Sequence, residues 1–344
     1  MLGKKGRDGC AAHFRHGAVS LRAVRKRSMT DRKDAAARGM AVASEGPMFV
    51  RFLLFAVALC PALLAAQAPG DSTLREVPIQ ALSDRNFTPL GQAALSIRPN
   101  DWKHAETANF IYHYFHSFIA APVAVEAEFY YRVIAKDLEK DTTQWERKSH
   151  VFIFESNDDW AAFQRKGALD PWTGGIHAGG SLFLQRNPEL KFKGNTLGHE
   201  VTHLVIERFH GAGVPLWLNE GYAEYASGIC YAAFNRARGY AARPTSRPVP
   251  ASLYLPLKQL TSLLSYPVDT VQVPIFYNQS ERLVRFLSRM DKRGFGVFLE
   301  AMAKGNRIET ALNKGFGGRF INLDALEREF KTYATQSNGL SAPE

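Results

Sequence analysis

The motif H-E-x-x-H, formed by the residues from His199 to His203, constrains this chain more than any other feature of its sequence. In an α-helix, positions i and i+4 stack on one face, so the His199 and His203 imidazoles can converge on one metal ion. Glu200 lies about 100° further round the helix and points beside that ion. The pattern predicts a zinc site in which Glu200 is free to act on a water molecule.

The residues around the motif favour a real helix over a chance match, which we expect in about one chain of this length per hundred. Asn195 and Thr196 offer side-chain oxygens that can cap a helix start, and residues 210–213, His-Gly-Ala-Gly, are typical of a helix end. An apolar stripe runs along the segment at helical spacing: Leu197, Val201, Leu204 and Val205. We therefore expect a half-buried helix of about four turns.

A second helix is predicted at residues 216–227, directly after Pro215, because proline is favoured at helix starts and good helix formers follow it. Glu220 and Glu224 lie one turn apart on one face of this helix. Three small residues would let it approach a neighbouring helix closely: Gly221, Ala223 and Ala226. Two histidines alone do not make a zinc site, which needs a third protein ligand.

Residues 217–224 read Trp-Leu-Asn-Glu-Gly-Tyr-Ala-Glu, and together with H-E-x-x-H they resemble the gluzincin metallopeptidases. The similarity is greatest to the short peptidase MA-like domains and covers residues 110–333. It implies that Glu220 is the third zinc ligand and that Glu224 holds His199. It also implies an α+β, zincin-like fold, with a twisted mixed sheet packed on helices and an α-helical C-terminal part.

The spacing of the sequence disfavours two other possible sources of a third ligand. The metzincin motif needs a glycine and a histidine where this chain has Ile206 and Phe209, and His210 is one place out of register. Glu207 continues the stripe of His199 and His203, but a straight helix cannot curl a third side chain round the same ion. We interpret Glu207 as a solvated carboxylate near the helix end.

The residue types indicate metal-assisted hydrolysis, and the resemblance implies that the substrate is a peptide or protein. Zn²⁺ bound by two neutral imidazoles and one carboxylate keeps a net positive charge, so it can polarise a carbonyl group and acidify water. Glu200 would accept the proton of that water and return it to the leaving amine. Glu224 would fix the tautomer of His199.

Tyr277 is a candidate donor to the oxyanion that forms during hydrolysis. Residues 276–284, which begin Phe-Tyr-Asn-Gln-Ser, resemble the segment that opens the helix after the zinc site in peptidase MA-like domains. The alternative is that Tyr277 is a core aromatic residue whose hydroxyl reaches the surface. Tyr222 is a weaker candidate, and we expect it to pack in the core.

A glycine-rich stretch at residues 174–180 runs into the short apolar stretch 181–185, which indicates close approach of another backbone. The resemblance implies an edge strand here that pairs with extended substrate. No glutamate lies between Gly174 and Leu184, whereas aminopeptidase relatives use one near this strand to hold a free amino terminus, so an endopeptidase is favoured. We expect His177 to be an exposed loop residue and not a ligand.

An apolar run at residues 52–66 follows Arg51 and ends in small residues, so residues 48–68 are typical of a signal peptide. The run is short for a membrane span and contains Pro61. Residues 1–47 are interpreted as a disordered basic leader or an over-extended start. We expect an extracytoplasmic protein, periplasmic or secreted, that contacts a membrane only if the apolar segment is retained or lipidated.

The net charge and the number of cysteines in the processed chain depend on whether residues 1–68 are removed. Without residues 1–68 the formal net charge falls from +10 to about +2, so a nucleic-acid partner is not expected. Cys10 and Cys60 lie in the segment and leave Cys230 alone, which rules out an intramolecular disulfide in the processed chain. Leu59 is too large for the residue before a lipidated cysteine, which disfavours lipidation at Cys60.

The remaining sequence is divided by its patterns. Predicted strands lie at residues 110–115 and 150–154, and predicted helices at 123–140, 158–166, 279–302 and 323–334. The expected order is a linker at 69–98, a zincin-like catalytic core at 99–228, a loop-rich segment at 229–274, a C-terminal helical part at 275–335 and a tail at 336–344.

A zinc-dependent peptidase is thus the leading functional hypothesis. The alternative is a secreted binding or scaffolding domain that keeps the zincin fold without turnover. All the catalytic residue types are present, which favours the enzyme, but sequence does not determine whether the cleft is open. The substrate sequence and the oligomeric state stay undetermined.

Overall fold

The computed structural model describes residues 74–142, 147–170, 173–186, 195–243 and 246–336. The predicted leader and signal peptide, Cys10 and Cys60, and the tail beyond Gln336 lie outside these residues. None of the helices in the described ranges is long and apolar enough to cross a membrane.

A six-stranded mixed sheet forms one layer of the described fold, in the order β1-β2-β3-β4-β6-β5. The central pairs β3–β4 and β4–β6 are parallel, and the outer pairs are antiparallel. The strands are β1 (Glu76–Val77), β2 (Lys103–Glu106), β3 (Phe110–Tyr114), β4 (Ser149–Phe154), β5 (Gly175–Ala178) and β6 (Ser181–Gln185). The predicted strands at 110–115 and 150–154 are confirmed as β3 and β4.

Ten α-helices accompany the sheet in the described part of the chain. They are α1 (Pro89–Leu95), α2 (Ser117–Asp137), α3 (Asn157–Lys166), α4 (Thr196–His210), α5 (Leu216–Ala237), α6 (Leu257–Ser262), α7 (Gln272–Met290), α8 (Lys292–Ala303), α9 (Ile308–Phe316) and α10 (Leu323–Thr335). The α+β class, the mixed sheet and the helical C-terminal part are confirmed. The predicted helices at 158–166 and 323–334 correspond to α3 and α10.

Both faces of the sheet are covered, because successive side chains of a strand point to opposite faces. From β4, Val151 and Ile153 enter the large core that contains residues of α2, α4 and α5. Phe152 and Phe154 enter a smaller aromatic core with Phe163 of α3. The side chains of β4 are therefore buried along the whole strand, and the sheet is a rigid base for α4.

The described part of the predicted linker, residues 74–98, is folded instead of open. It contributes β1 to the sheet, and α1 begins at Pro89 after Thr88, whose side chain accepts a hydrogen bond from the Gly91 amide. A Cβ at Gly91 would lie 3.2 Å from Phe152, so α1 packs directly on the aromatic core. The composition of the segment resembled a linker, but these tertiary contacts order it.

Several predicted boundaries are wrong. Helix α2 begins six residues before position 123, and α5 runs to Ala237 instead of ending at 227. The added turns of α5 bury Cys230 and place Phe234 against Phe129 and Tyr130, so the segment 229–274 is less loop-rich than expected.

The single helix predicted at 279–302 is two helices, α7 and α8. They are separated at Asp291, whose carboxylate accepts a hydrogen bond from the Gly294 amide and caps α8. Helix α9 was not predicted.

Candidate metal centre

Helix α4 carries the H-E-x-x-H motif and buries it against the sheet and α5. It ends at His210, and Gly211 follows with a φ of 74°, as the glycine after the motif predicted. The capping role expected for Asn195 is wrong. Its side-chain amide contacts the Ser227 carbonyl of α5 and makes no capping bond to α4, so this residue ties the two helices together.

Three side chains converge in the way the sequence predicted. His199 Nε2 lies 2.9 Å from His203 Nε2, and Glu220 Oε2 lies 3.3 Å from the first nitrogen and 3.5 Å from the second. A tetrahedral zinc ion with ligand bonds of 2.0–2.1 Å would separate neighbouring ligand atoms by about 3.3 Å. One of the three distances is shorter than that value, one equals it and one is longer, and all three side chains are buried.

Helix α5 brings Glu220 to this point because its next residue is glycine. A Cβ on Gly221 would lie 2.5 Å from the carbonyl oxygen of Ser280 on α7, so any larger residue would collide with that oxygen. The expectation that small residues on the second helix permit a close helix approach is therefore confirmed at Gly221. The same contact places the start of α7, including Tyr277, beside the site.

Each of the three converging side chains also has an orienting partner. Glu224 Oε1 lies 3.1 Å from His199 Nδ1, which is the place the resemblance implied for it. Asn219 Oδ1 lies 3.1 Å from His203 Nδ1. A carbonyl-type oxygen at Nδ1 favours a proton on that nitrogen, which leaves the Nε2 lone pair free for a metal ion.

The third orienting partner is Tyr266, whose hydroxyl donates to Glu220 Oε1 at 2.7 Å. Neither Asn219 nor Tyr266 was predicted from the sequence. Asn219 precedes Glu220 in the Asn-Glu-Gly run and could have been found there, whereas Tyr266 lies far along the chain in the connection between α6 and α7.

The carboxylates and the imidazoles of the group shift one another's pKa values. Burial alone would raise the pKa of Glu220, but the facing imidazoles of His203 and His199 lower it to about 2. Burial alone would lower the pKa of His199, but Glu220 and Glu224 hold it well above its ordinary value. The carboxylates of this group therefore give it negative charge that attracts a cation, either a proton or a metal ion.

Glu200 is buried beside the group and differs from Glu220 in its surroundings. Burial raises the pKa of its carboxyl to about 6, although the histidines oppose the shift, and its Oε2 has no hydrogen-bond partner. The carboxylate also accepts a hydrogen bond from the His177 backbone on β5. A Cβ on Gly175 would lie 3.1 Å from Glu200 Oε1 and 2.7 Å from Thr196, so glycine is required there.

Tyr277 lies at the site, whereas Tyr222 does not. The ring centroids of Tyr277 and His199 are 6.3 Å apart, and Tyr277 is mostly buried. The Tyr222 hydroxyl donates to Asp137 at 2.5 Å, which confirms that this tyrosine packs in the core.

The segment 174–185 is a hairpin in which β5 is the edge strand and β6 lies inside the sheet. The expectation for His177 is wrong, because it lies on β5 and is buried instead of exposed in a loop. Its Nε2 is 3.0 Å from Glu207 Oε2. Glu207 is thus half exposed but paired with an imidazole, and neither residue belongs to the converging group.

No protein-family model matches this chain, and no curated protein is significantly similar to it.

Proposed function

We propose that this chain is a zinc-dependent peptidase of the gluzincin type with a zincin-like fold, and that it cleaves peptide bonds as an endopeptidase. The observation that carries the proposal is the convergence of His199, His203 and Glu220 at tetrahedral distances, with the Glu200 carboxylate beside them. Two consecutive helices, α4 and α5, supply these groups, so a chance match of a five-residue motif on one helix does not account for them.

The residues present fit a zinc ion. Glu220 Oε2 is buried, makes no hydrogen bond of regular geometry and faces both imidazole nitrogens, so a cation held between the three groups would offset the cost of its burial. Two imidazoles and one carboxylate are a ligand set typical of catalytic zinc, with one position left for water or substrate. When bound there, zinc would polarise the scissile carbonyl and lower the pKa of a water molecule.

Glu200 acts as the general base in this proposal. Its raised pKa of about 6 leaves it ionised near neutral pH and still basic enough to accept a proton from the attacking water. The protonated carboxyl then donates the same proton to the leaving amine. The hydrogen bond from the His177 backbone fixes the position of Glu200 for both transfers.

Tyr277 stabilises the developing oxyanion. Burial, with the nearby charge of Glu220, raises the pKa of its hydroxyl well above its ordinary value, so the group stays protonated and can donate. A neutral donor held at the site before reaction is worth more than one that must reorient.

Substrate binds along β5 in this proposal. This strand pairs with β6 on one side, and no strand of the described sheet pairs with its other side. Main-chain pairing at such an edge accepts extended peptides of many sequences. The absence of a glutamate between Gly174 and Leu184 removes the usual anchor for a free amino terminus and favours internal cleavage. We further propose an extracytoplasmic location from the signal-like residues 48–68.

Metal analysis combined with a cleavage assay tests the proposal. The purified full chain should contain one zinc per molecule and cleave an unfolded protein such as casein. A chelator should abolish cleavage, and added zinc should restore it. A chain that takes up no zinc overturns the proposal. Zinc without cleavage of casein or of a peptide library favours the binding domain without turnover.

A further inference from the structure

Tyr266 reaches the proposed metal centre from outside every segment that the motifs mark. It lies in the connection between α6 and α7, and its hydroxyl donates to Glu220 Oε1 at 2.7 Å. Its ring stacks on Tyr277, with centroids 5.9 Å apart and planes 22° from parallel. Through this hydrogen bond and this ring contact, Tyr266 touches both a proposed ligand and the proposed oxyanion donor.

The two oxygens of Glu220 have different surroundings because of this contact. Oε1 is held by Tyr266, whereas Oε2 has no hydrogen-bond partner and lies 3.3 and 3.5 Å from the two imidazole nitrogens. A free carboxylate can rotate and present both oxygens to a cation. A phenol that donates to one oxygen holds the carboxylate in a single orientation and directs the other oxygen to the histidines.

We propose that Tyr266 is a positioning residue of the metal centre, which holds Glu220 Oε1 and directs Oε2 towards the two histidines. The inference rests on the proposed function, because it requires a metal ion between the histidines and Glu220.

The position of Tyr266 in the fold supports this role. The side chains of Leu264 and Val268, on either side of it, are 87% and 99% exposed, so the segment has little apolar packing of its own there. Tyr266 is in contrast packed against Tyr277 and, edge-on, against Phe276. The segment is therefore anchored at the metal centre by this tyrosine, and its hydroxyl is directed to the carboxylate.

Zinc affinity of the Tyr266→Phe variant tests the inference without relying on turnover. Competition with a chromophoric chelator should give a zinc affinity at least tenfold below that of the wild-type chain, the loss typical of a removed orienting partner. Tyr222→Phe is the matched control, because it also removes a buried hydroxyl that donates to a carboxylate, that of Asp137. We expect this control to lower stability and to leave zinc affinity unchanged.

The absorption spectrum of Co²⁺ in place of zinc separates positioning from stability. It reports coordination number and geometry in the folded fraction, so it should change in Tyr266→Phe and stay the same in Tyr222→Phe. Wild-type affinity together with a wild-type spectrum in Tyr266→Phe overturns the inference. A wild-type chain that binds zinc but cleaves nothing overturns the proposed function alone, and a chain that binds no zinc overturns both.

Discussion

Two groups of buried histidines occur among the residues that the structure describes, and they are built differently. His199 and His203 on α4 face Glu220, and their Nε2 atoms meet at one point. His104, His113 and His150 lie on β2, β3 and β4 and form a line. In that line His104 Nδ1 is 2.8 Å from His113 Nδ1, and His113 Nε2 is 3.0 Å from His150 Nδ1.

The charges around the two groups differ accordingly. Burial lowers the pKa of His150 to about 4 and that of His113 well below its ordinary value, and Asp84 and Glu106 oppose the shift of His150 only weakly. In the other group, two carboxylates in contact with His199 overcome burial and raise its pKa. Burial of imidazoles therefore does not by itself indicate a metal site.

The directions of the imidazole lone pairs also distinguish the two groups of histidines. A hydrogen bond between two neutral imidazoles uses one N–H and one lone pair, so each ring of the line is engaged with its neighbours. A metal ion instead needs several lone pairs aimed at one point. Among the described residues, the grouping that could hold a metal is His199, His203 and Glu220.

Removing the Glu220 carboxylate should have the largest effect on the metal centre. We expect Glu220→Ala to abolish both stoichiometric zinc and cleavage, because two buried imidazoles alone do not supply the three protein ligands of a catalytic site. Glu207→Ala is the matched control: it removes a carboxylate one turn after His203 that pairs with His177, and it should keep zinc. Metal analysis of both variants is the measurement, and full zinc content in Glu220→Ala would contradict the assignment.

Glu200→Gln separates metal binding from chemistry. The amide keeps the size of the side chain but cannot accept the proton of the attacking water, so kcat should fall by about 10²- to 10⁴-fold. Zinc content should equal that of the wild-type chain, since Glu200 is outside the converging group. Initial rates with a fluorogenic peptide measure the effect. A kcat within tenfold of wild type would exclude Glu200 as the general base.

Tyr277→Phe should lower kcat by about 10²- to 10³-fold, with KM and zinc content little changed, because the hydroxyl acts on charge that develops after substrate binding. The aromatic contacts of the ring with His199 and Tyr266 are retained in the variant. Tyr222→Phe serves again as the control, with an expected kcat near that of wild type. An unchanged kcat in Tyr277→Phe assigns the tyrosine to packing instead.

Local patterns together with the family resemblance predicted the residues of the candidate centre. Helical spacing predicted that His199 and His203 share a face, and the resemblance supplied Glu220 and Glu224. The structure brings all four together. Helix geometry fixes the placement of His199 relative to His203 on α4, and of Glu220 relative to Glu224 on α5. That the two helices meet was expected from the resemblance and not from either local pattern.

Features that depend on tertiary contacts were not predicted or were wrong. Tyr266 meets Glu220 across 46 positions of the chain, and no periodicity connects them. The burial of His177 follows from the packing of α4 on β5, and Asn195 leaves its capping role because a carbonyl of α5 competes for its side chain. The line of three histidines requires the register that pairs His104 with His113, which the sequence of each strand does not specify.

The line of histidines should give the smallest effect, a change in stability with pH. An unfolded histidine has a pKa near 6.5 whereas folded His150 has one of about 4, so between these values the unfolded chain binds a proton that the folded chain does not. This difference costs about 2 kcal/mol of unfolding free energy between pH 7 and pH 5. Urea denaturation at both pH values should show a smaller loss in His150→Asn, whose amide can still bond His113. Equal losses in variant and wild type would mean that His150 is already charged at pH 5. Because zinc content should not change in His150→Asn, the same variant also tests whether the two histidine groups act independently.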